Sequence, residues 1–266
     1  MQRPILALPV TLIVEIGTLH LIAGEELRWT LRLDQPQALA DLLRRCDGRT
    51  SLDDLLRPVA EADRPALLHW LGRLRGERVL IDGPLMLAYV PARFRRATEG
   101  CGPLVARLNE PVNDTPPMLI LCQDALDLHT ARLVNRRQLH ARSPWLWVTT
   151  GPAQRGYVSP VFLPDAGPCL ACLLDHFQRL SPVPQLYDAL TRHGEQGGDF
   201  SPVAFPEMGL AILEQLARWK VARSNDAVPP SAVHRLHVLE LETMEVSLHR
   251  VLADPTCREC ADARNL

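Results

Sequence analysis

The sequence predicts an α/β chain that opens with an α+β unit of the winged-helix pattern and continues into a second body holding a four-cysteine zinc site. Three observations carry this. β-rich runs and then three amphipathic helical stretches fill the first 85 residues, strand and helix patterns alternate from residue 117, and two C-x-x-C pairs lie far apart in the chain. The expected division is a winged-helix unit over 1–85, a connector over 86–116 and the zinc-bearing body over 117–266.

In the first unit, VTLIVEI (10–16), TLHLIAG (18–24) and ELRWTLRL (26–33) are broken at Gly17 and Gly24 and read as a three-stranded meander. Helices follow at 36–46, at 51–59 with Ser51 as N-cap, and at 63–77, where Leu67, Trp70, Leu71 and Leu74 share a face. RVLIDG (78–83) supplies a closing strand or wing. In the second body, PMLILCQD (117–124) and PWLWVTT (144–150) read as buried strands around an amphipathic helix (125–142), with two short strands expected within 155–164. Next come a helix over 170–180, a polar Pro/Gly loop over 181–205 with the length of a mobile or functional segment, and a long helix over 206–224. A hairpin of 234–242 and 244–252 leads to the last cysteine pair.

Composition narrows the function classes. A net charge of −2 exerts no general pull on nucleic acid or phospholipid, and only Lys220 among the 29 basic residues is a lysine. No run of eighteen apolar residues and no leader with a cleavage site are found, so no membrane partner and a cytoplasmic location are expected. That setting disfavours a disulfide framework for the seven cysteines. Cys169 with Cys172, and Cys257 with Cys260, can each present two thiolates from a tight turn, and together they complete a tetrahedral zinc site of the closed, structural kind. A redox reading explains one pair but not its distant repeat. Cys46, Cys101 and Cys122 stand alone and are expected in the core. His176 lies one turn beyond Cys172, yet four cysteines already fill the coordination set; His234, His237 and His249 read as strand residues.

The winged-helix pattern commonly binds DNA, but Asp41, Asp53 and Asp54 on the first two helices would oppose phosphate, and nucleic acid is not expected as a partner. An edge strand beside an apolar helix is instead a receptor for an added peptide strand. The candidate peptide-binding residues are Leu27, Arg28, Trp29, Thr30, Leu31, Arg32 and Leu33 on the strand, with Leu67, Leu68, Leu71 and Leu74 on the helix. Arg28, Arg32, Arg64 and Arg73 are placed to pair with peptide carboxylates. The alternative is that these apolar residues fill the unit's own core.

GPCLACL downstream of an α/β segment, with a terminal hairpin and DPTCREC, resembles the ThiF/MoeB-type adenylating fold, in which two such knuckles hold a structural zinc. CQDALDLHTARLVNRRQL is similar to the family's segment in which an Asp ends a strand and an Arg and an Asn follow on a helix. Here those would be Asp124 or Asp127, Arg132 and Asn135. With the N-terminal unit, the chain looks like the ThiF-like partner proteins of azole-forming peptide biosynthesis. The resemblance implies a precursor-peptide recognition element that delivers a leader-bearing peptide to a YcaO-type cyclodehydratase for thiazoline or oxazoline formation. It also implies no catalytic residue of the chain's own, and homodimer formation is possible in such relatives.

On that resemblance, the body is expected to be a degenerate, shortened version of the fold. Only EGCGPLVARL (99–108) offers Gly100 and Gly102 as a relic of the phosphate loop, so no ATP is expected. Two alternatives stay open. One is a shortened ATP-dependent adenylating enzyme acting on a peptide, with Asp124 or Asp127 for magnesium and Arg132 for phosphate. The other is a zinc-stabilised winged-helix DNA-binding regulator.

Overall fold

A computed structural model describes residues 2–83, 99–100, 104, 108 and 118–264. The chain forms two compact units, Met1–Ala23 with Leu27–Val90, and Gly24–Glu26 with Pro91–Leu266.

The first unit contains β1 (Pro4–Leu6), β2 (Thr11–Glu15), β3 (Thr18–Ile22), β4 (Arg28–Arg32), α1 (Pro36–Arg44), α2 (Leu52–Leu56), α3 (Arg64–Gly76) and β5 (Leu80–Asp82). Strands β2, β3 and β4 form the antiparallel meander in that order. Its first turn places Gly17 at φ +68°, a left-handed conformation that β-branched residues resist. The Ser51 hydroxyl accepts the Asp54 N–H at 3.1 Å and starts α2, and Pro at the first turn of α1 and of α3 costs no helix hydrogen bond. Strand β1, absent from the sequence reading, pairs antiparallel with β5, Ile5 facing Ile81. Leu19, Leu21, Leu31, Leu39, Leu42, Leu67, Leu71 and Leu74 fill one core, with Trp29 and Trp70 packed at its margin.

The second unit contains β6 (Glu99–Gly100), β7 (Leu119–Gln123), α4 (Leu128–His140), β8 (Trp145–Thr149), β9 (Arg155–Val158), α5 (Leu170–Leu180), α6 (Gln185–Glu195), α7 (Glu207–Ser224), β10 (Leu236–Glu240), β11 (Glu245–His249) and α8 (Arg258–Arg264). Its sheet runs β11-β10-β9-β8-β7-β6. Strands β6, β7 and β8 are parallel, with α4 as the crossover between β7 and β8, and the remaining pairs are antiparallel. Every residue of β8 is buried, which is why WLWVT reads as an unbroken apolar run.

Two expectations are corrected. The stretch 181–205 is not a single loop, because α6 occupies its middle. Leu186, Tyr187, Ala189 and Leu190 form a buried helical stripe that Pro184, Gly194, Gly197 and Gly198 disguise in the sequence. The expected connector also contributes to the sheet. Glu99–Gly100 pairs with β7, and Leu104 and Leu108 join the core of the second unit, while the rest of 84–117 lies outside the described residues. Cys46 and Cys122 are buried as expected, burial pushing the Cys46 thiol up to about 12, and Cys101 lies outside the described residues. No helix among the described residues is long and apolar enough to cross a membrane.

Lys220 was missed as a structural residue. Its side chain is fully buried on α7, and its ammonium donates to the carbonyl oxygens of Ser159 and Arg235, both at 2.5 Å, and of Val158 at 3.4 Å. Burial pulls its pKa down to about 7, and burial together with the Lys220 charge holds His237 near 4. The ammonium thus joins the segment after β9 to the approach to β10. Lys220→Met would orphan two close carbonyl oxygens and is expected to cost about 3 kcal/mol in urea denaturation followed by tryptophan fluorescence.

Candidate metal centre

Each cysteine pair straddles a helix start. Cys169 sits in extended backbone as the N-cap of α5, with Cys172 in the first turn; Cys257 precedes α8, with Cys260 in its first turn. All four are buried, and their sulfurs lie within 4.8 Å of one another. The Sγ–Sγ distances are 3.9 Å for Cys169–Cys172, 3.8 Å for Cys169–Cys257 and 3.6 Å for Cys172–Cys260. A tetrahedron with Zn–S bonds of 2.3 Å has edges of about 3.8 Å, so these sulfurs fit one zinc ion. A disulfide needs about 2.05 Å, far below any of these separations.

The electrostatics also call for a cation. Hydrogen bonding to Cys172 drives the Cys169 thiol far above its ordinary range, and burial raises Cys257. Cys172 moves the other way, because it accepts from the Cys169 and Cys260 thiols and from the Asp254 N–H at 3.4 Å. Four buried thiols cannot all ionise side by side; a divalent ion removes that obstacle. With four protein ligands the set is closed, and the bound metal would supply structure and not an open coordination position.

Helix α4 frames the cluster. Asn135 is fully buried; its Oδ1 accepts the backbone N–H of Leu170 at 3.0 Å, and its Nδ2 donates to Glu259 Oε2 at 2.5 Å. Arg132 binds Asp175 at 2.6 Å and Glu259 at 3.5 Å, and Arg136 adds a second contact to Glu259 at 3.6 Å. Asp254, ahead of the second pair, is paired with Arg179 at 3.3 Å and accepts from Thr256, which holds its carboxyl below the usual range. Of this frame, Arg132 and Asn135 are positions to which the family resemblance points, with a phosphate role given to Arg132 in the adenylating alternative. Glu259 lies inside C-R-E-C, and that position was its available signal.

The other candidates fall in different places. Asp127 caps α4, accepting the Thr130 N–H at 2.9 Å, and Asp124 is buried at the end of β7. His176 and His249 are exposed, and His237 is buried away from the cysteine set. Gly100 lies in β6, and Gly102 lies outside the described residues. In the first unit, Leu31, Leu67, Leu71 and Leu74 face inward and fill the core, Leu27, Trp29 and Leu33 are half-buried at its margin, and Thr30, Arg32 and Leu68 are exposed. Arg64 Nε donates to the Val59 carbonyl at 3.2 Å, and Arg73 lies over the Trp70 ring at 5.0 Å.

No protein-family model matches the chain, and no curated protein matches it. Solved structures do. The chain is similar to a heterocyclase in complex with substrate and cofactor, with 16% identity and a TM-score of 0.45, covering 97% of this chain and 39% of that one. It is also similar to the heterocyclase TruD, with 16% identity and a TM-score of 0.43, covering 98% and 43%. For the microcin synthetase McbBCD complex of E. coli the identity is 12% and the TM-score 0.44, covering 96% and 99%. The chain thus spans about two fifths of the heterocyclases and nearly all of the matched synthetase chain.

Elemental analysis of the purified chain is expected to give one zinc per molecule. Cys172→Ser or Cys260→Ser should lose that zinc and a stability on the order of 4 kcal/mol, read by denaturant unfolding.

Proposed function

We propose that this chain is a leader-peptide-binding partner protein that brings a ribosomally made precursor peptide to a YcaO cyclodehydratase for thiazoline or oxazoline formation. The observation that carries the reading is the position of β4 at the edge of the β2-β3-β4 sheet, with β3 its only strand partner among the described residues. An extended peptide added there would gain backbone ladder bonds. Its side chains would alternate between the Trp29 and Leu31 face, which joins the core, and the face of Arg28, Thr30 and Arg32. A leader with acidic residues every second position would match that second face. The zinc-bearing body then serves as the scaffold that docks the separate enzyme, and holding both raises the effective concentration of the peptide at the active site.

The adenylating alternative asks Arg132 to hold phosphate. Here its guanidinium is engaged by Asp175 and Glu259, and Asp127 is engaged as a helix cap, so both would have to change partners. Calorimetric titration with Mg-ATP distinguishes the two readings: heat of binding at one site supports the alternative. The DNA-binding alternative finds no help in α2, where Asp54 is tied to Ser51 and paired with Arg57 at 2.6 Å.

The test of leader binding uses fluorescein-labelled N-terminal segments of the short peptides encoded beside the gene, in polarisation against the full chain. One is expected to bind saturably. Thr30→Pro and Arg32→Glu should each weaken it by about tenfold or more while circular dichroism stays unchanged. Binding by none of them, or equal binding by both variants, would remove this reading.

A further inference from the structure

We propose that Arg132, Asn135 and Glu259 form a latch that holds the two cysteine knuckles in register and sets their affinity for the metal, although none of the three is a ligand. This assignment does not depend on the leader-peptide reading.

Asn135 has no solvent exposure, so an unused polar end would be costly, and both ends are used on different knuckles. Its carbonyl oxygen takes the N–H of Leu170, the residue after Cys169, and its NH2 group reaches the carboxylate between Cys257 and Cys260. One side chain therefore joins segments separated by 88 residues. The position requires an acceptor on one side and a donor on the other. Asp would lose the donor and set a second carboxylate against Glu259, whereas Leu would abandon both partners.

Arg132 repeats the bridge with charge. It joins Asp175, three residues after Cys172, to Glu259 in the second knuckle. A zinc ion with four thiolates carries a net charge of −2, and Asp175 and Glu259 add carboxylates beside it. Arg132 and Arg136 supply the compensating charge on the same helix face. Groups that orient metal ligands without touching the metal typically change affinity by about 10–100-fold when removed. Here the latch would position the thiolates before the metal arrives and neutralise the site afterwards.

The test uses the full chain stripped of metal under reducing conditions and titrated with Co2+, whose thiolate charge-transfer and d–d bands report both affinity and tetrahedral geometry. Zinc affinity is then read by competition with a chromogenic chelator. Asn135→Ala and Glu259→Ala are each expected to weaken metal binding by about 10–100-fold, and the double variant to be little worse than the poorer single, as for two parts of one device. Glu259→Gln, which keeps the shape and an acceptor for Asn135, should recover part of the loss, and it supplies the reading if an alanine variant fails to fold. Lys220→Met serves as the comparison for general destabilisation and should leave metal affinity within about threefold of the parent. The proposal falls if both alanine variants bind Co2+ within threefold of the parent, if their losses multiply independently, or if Lys220→Met weakens metal binding as much as they do.

Discussion

The second unit depends on bringing two pairs of sulfurs together across 88 residues of chain. Closing a loop of that length costs the unfolded chain about 4–5 kcal/mol on the chain-entropy account used for disulfides. Among the described residues, the buried cluster that contains the four cysteines adds Leu139 and Ala171. A metal ion held by four thiolates would be an interaction large enough to offset that cost.

Helix α4 makes that closure compatible with the rest of the unit because it serves two neighbours at once. Leu128, Ala131, Val134 and Leu139 are its buried apolar positions, while Arg132, Asn135 and Arg136 make its polar contacts to the knuckles. The helix starts at Asp127, held by its own cap, and Gln123 at the end of β7 donates to the Asp127 carbonyl and accepts from the Trp147 indole at 2.7 Å. The parallel strands β7 and β8 are thereby linked through α4 to the sulfur cluster. Any substitution that rotates α4 should be felt at the metal before it is felt in the sheet, because hydrogen bonds have narrower geometric tolerance than apolar contacts.

What could be read from the amino acids follows from how local each signal is. The two C-x-x-C pairs announce their chemistry through spacing alone, and the distances among the four sulfurs agree with one ion. The meander, α3 and α7 lie close to where the sequence patterns put them. Helix α6 was hidden because its stripe is short and bracketed by prolines and glycines that score as loop, and only its burial against α4 reveals it. Strand β1 needs β5, nearly eighty residues away, before it has any reason to be extended. The resemblance points to Asn135 by position without a role, and its role in the fold depends on partners in two distant knuckles that no local pattern announces. Lys220 stands out in the sequence as a lone lysine, but its structural role is not legible there, since its three carbonyl acceptors come from two distant segments.

The strand β4, at the edge of its sheet among the described residues, raises a separate physical question: how an edge strand avoids pairing indiscriminately with other chains. Its shortness is one answer, since it has only five residues, and the placement of Arg28 and Arg32 on one face is the other. Charged side chains at an edge repel a second copy of the same strand, because an antiparallel self-pairing would bring arginines near arginines. The same charges would favour a strand of opposite sign. On the proposed reading, protection and selectivity are therefore one device. The core keeps Leu31 and most of α3's leucines for itself, so discrimination among peptides must come from the outer face of β4 and from the half-buried Trp29. A peptide that is apolar at every position would meet the ladder but not the arginines, and one that is acidic throughout would lose the Trp29 side, which leaves alternation as the pattern that both faces accept.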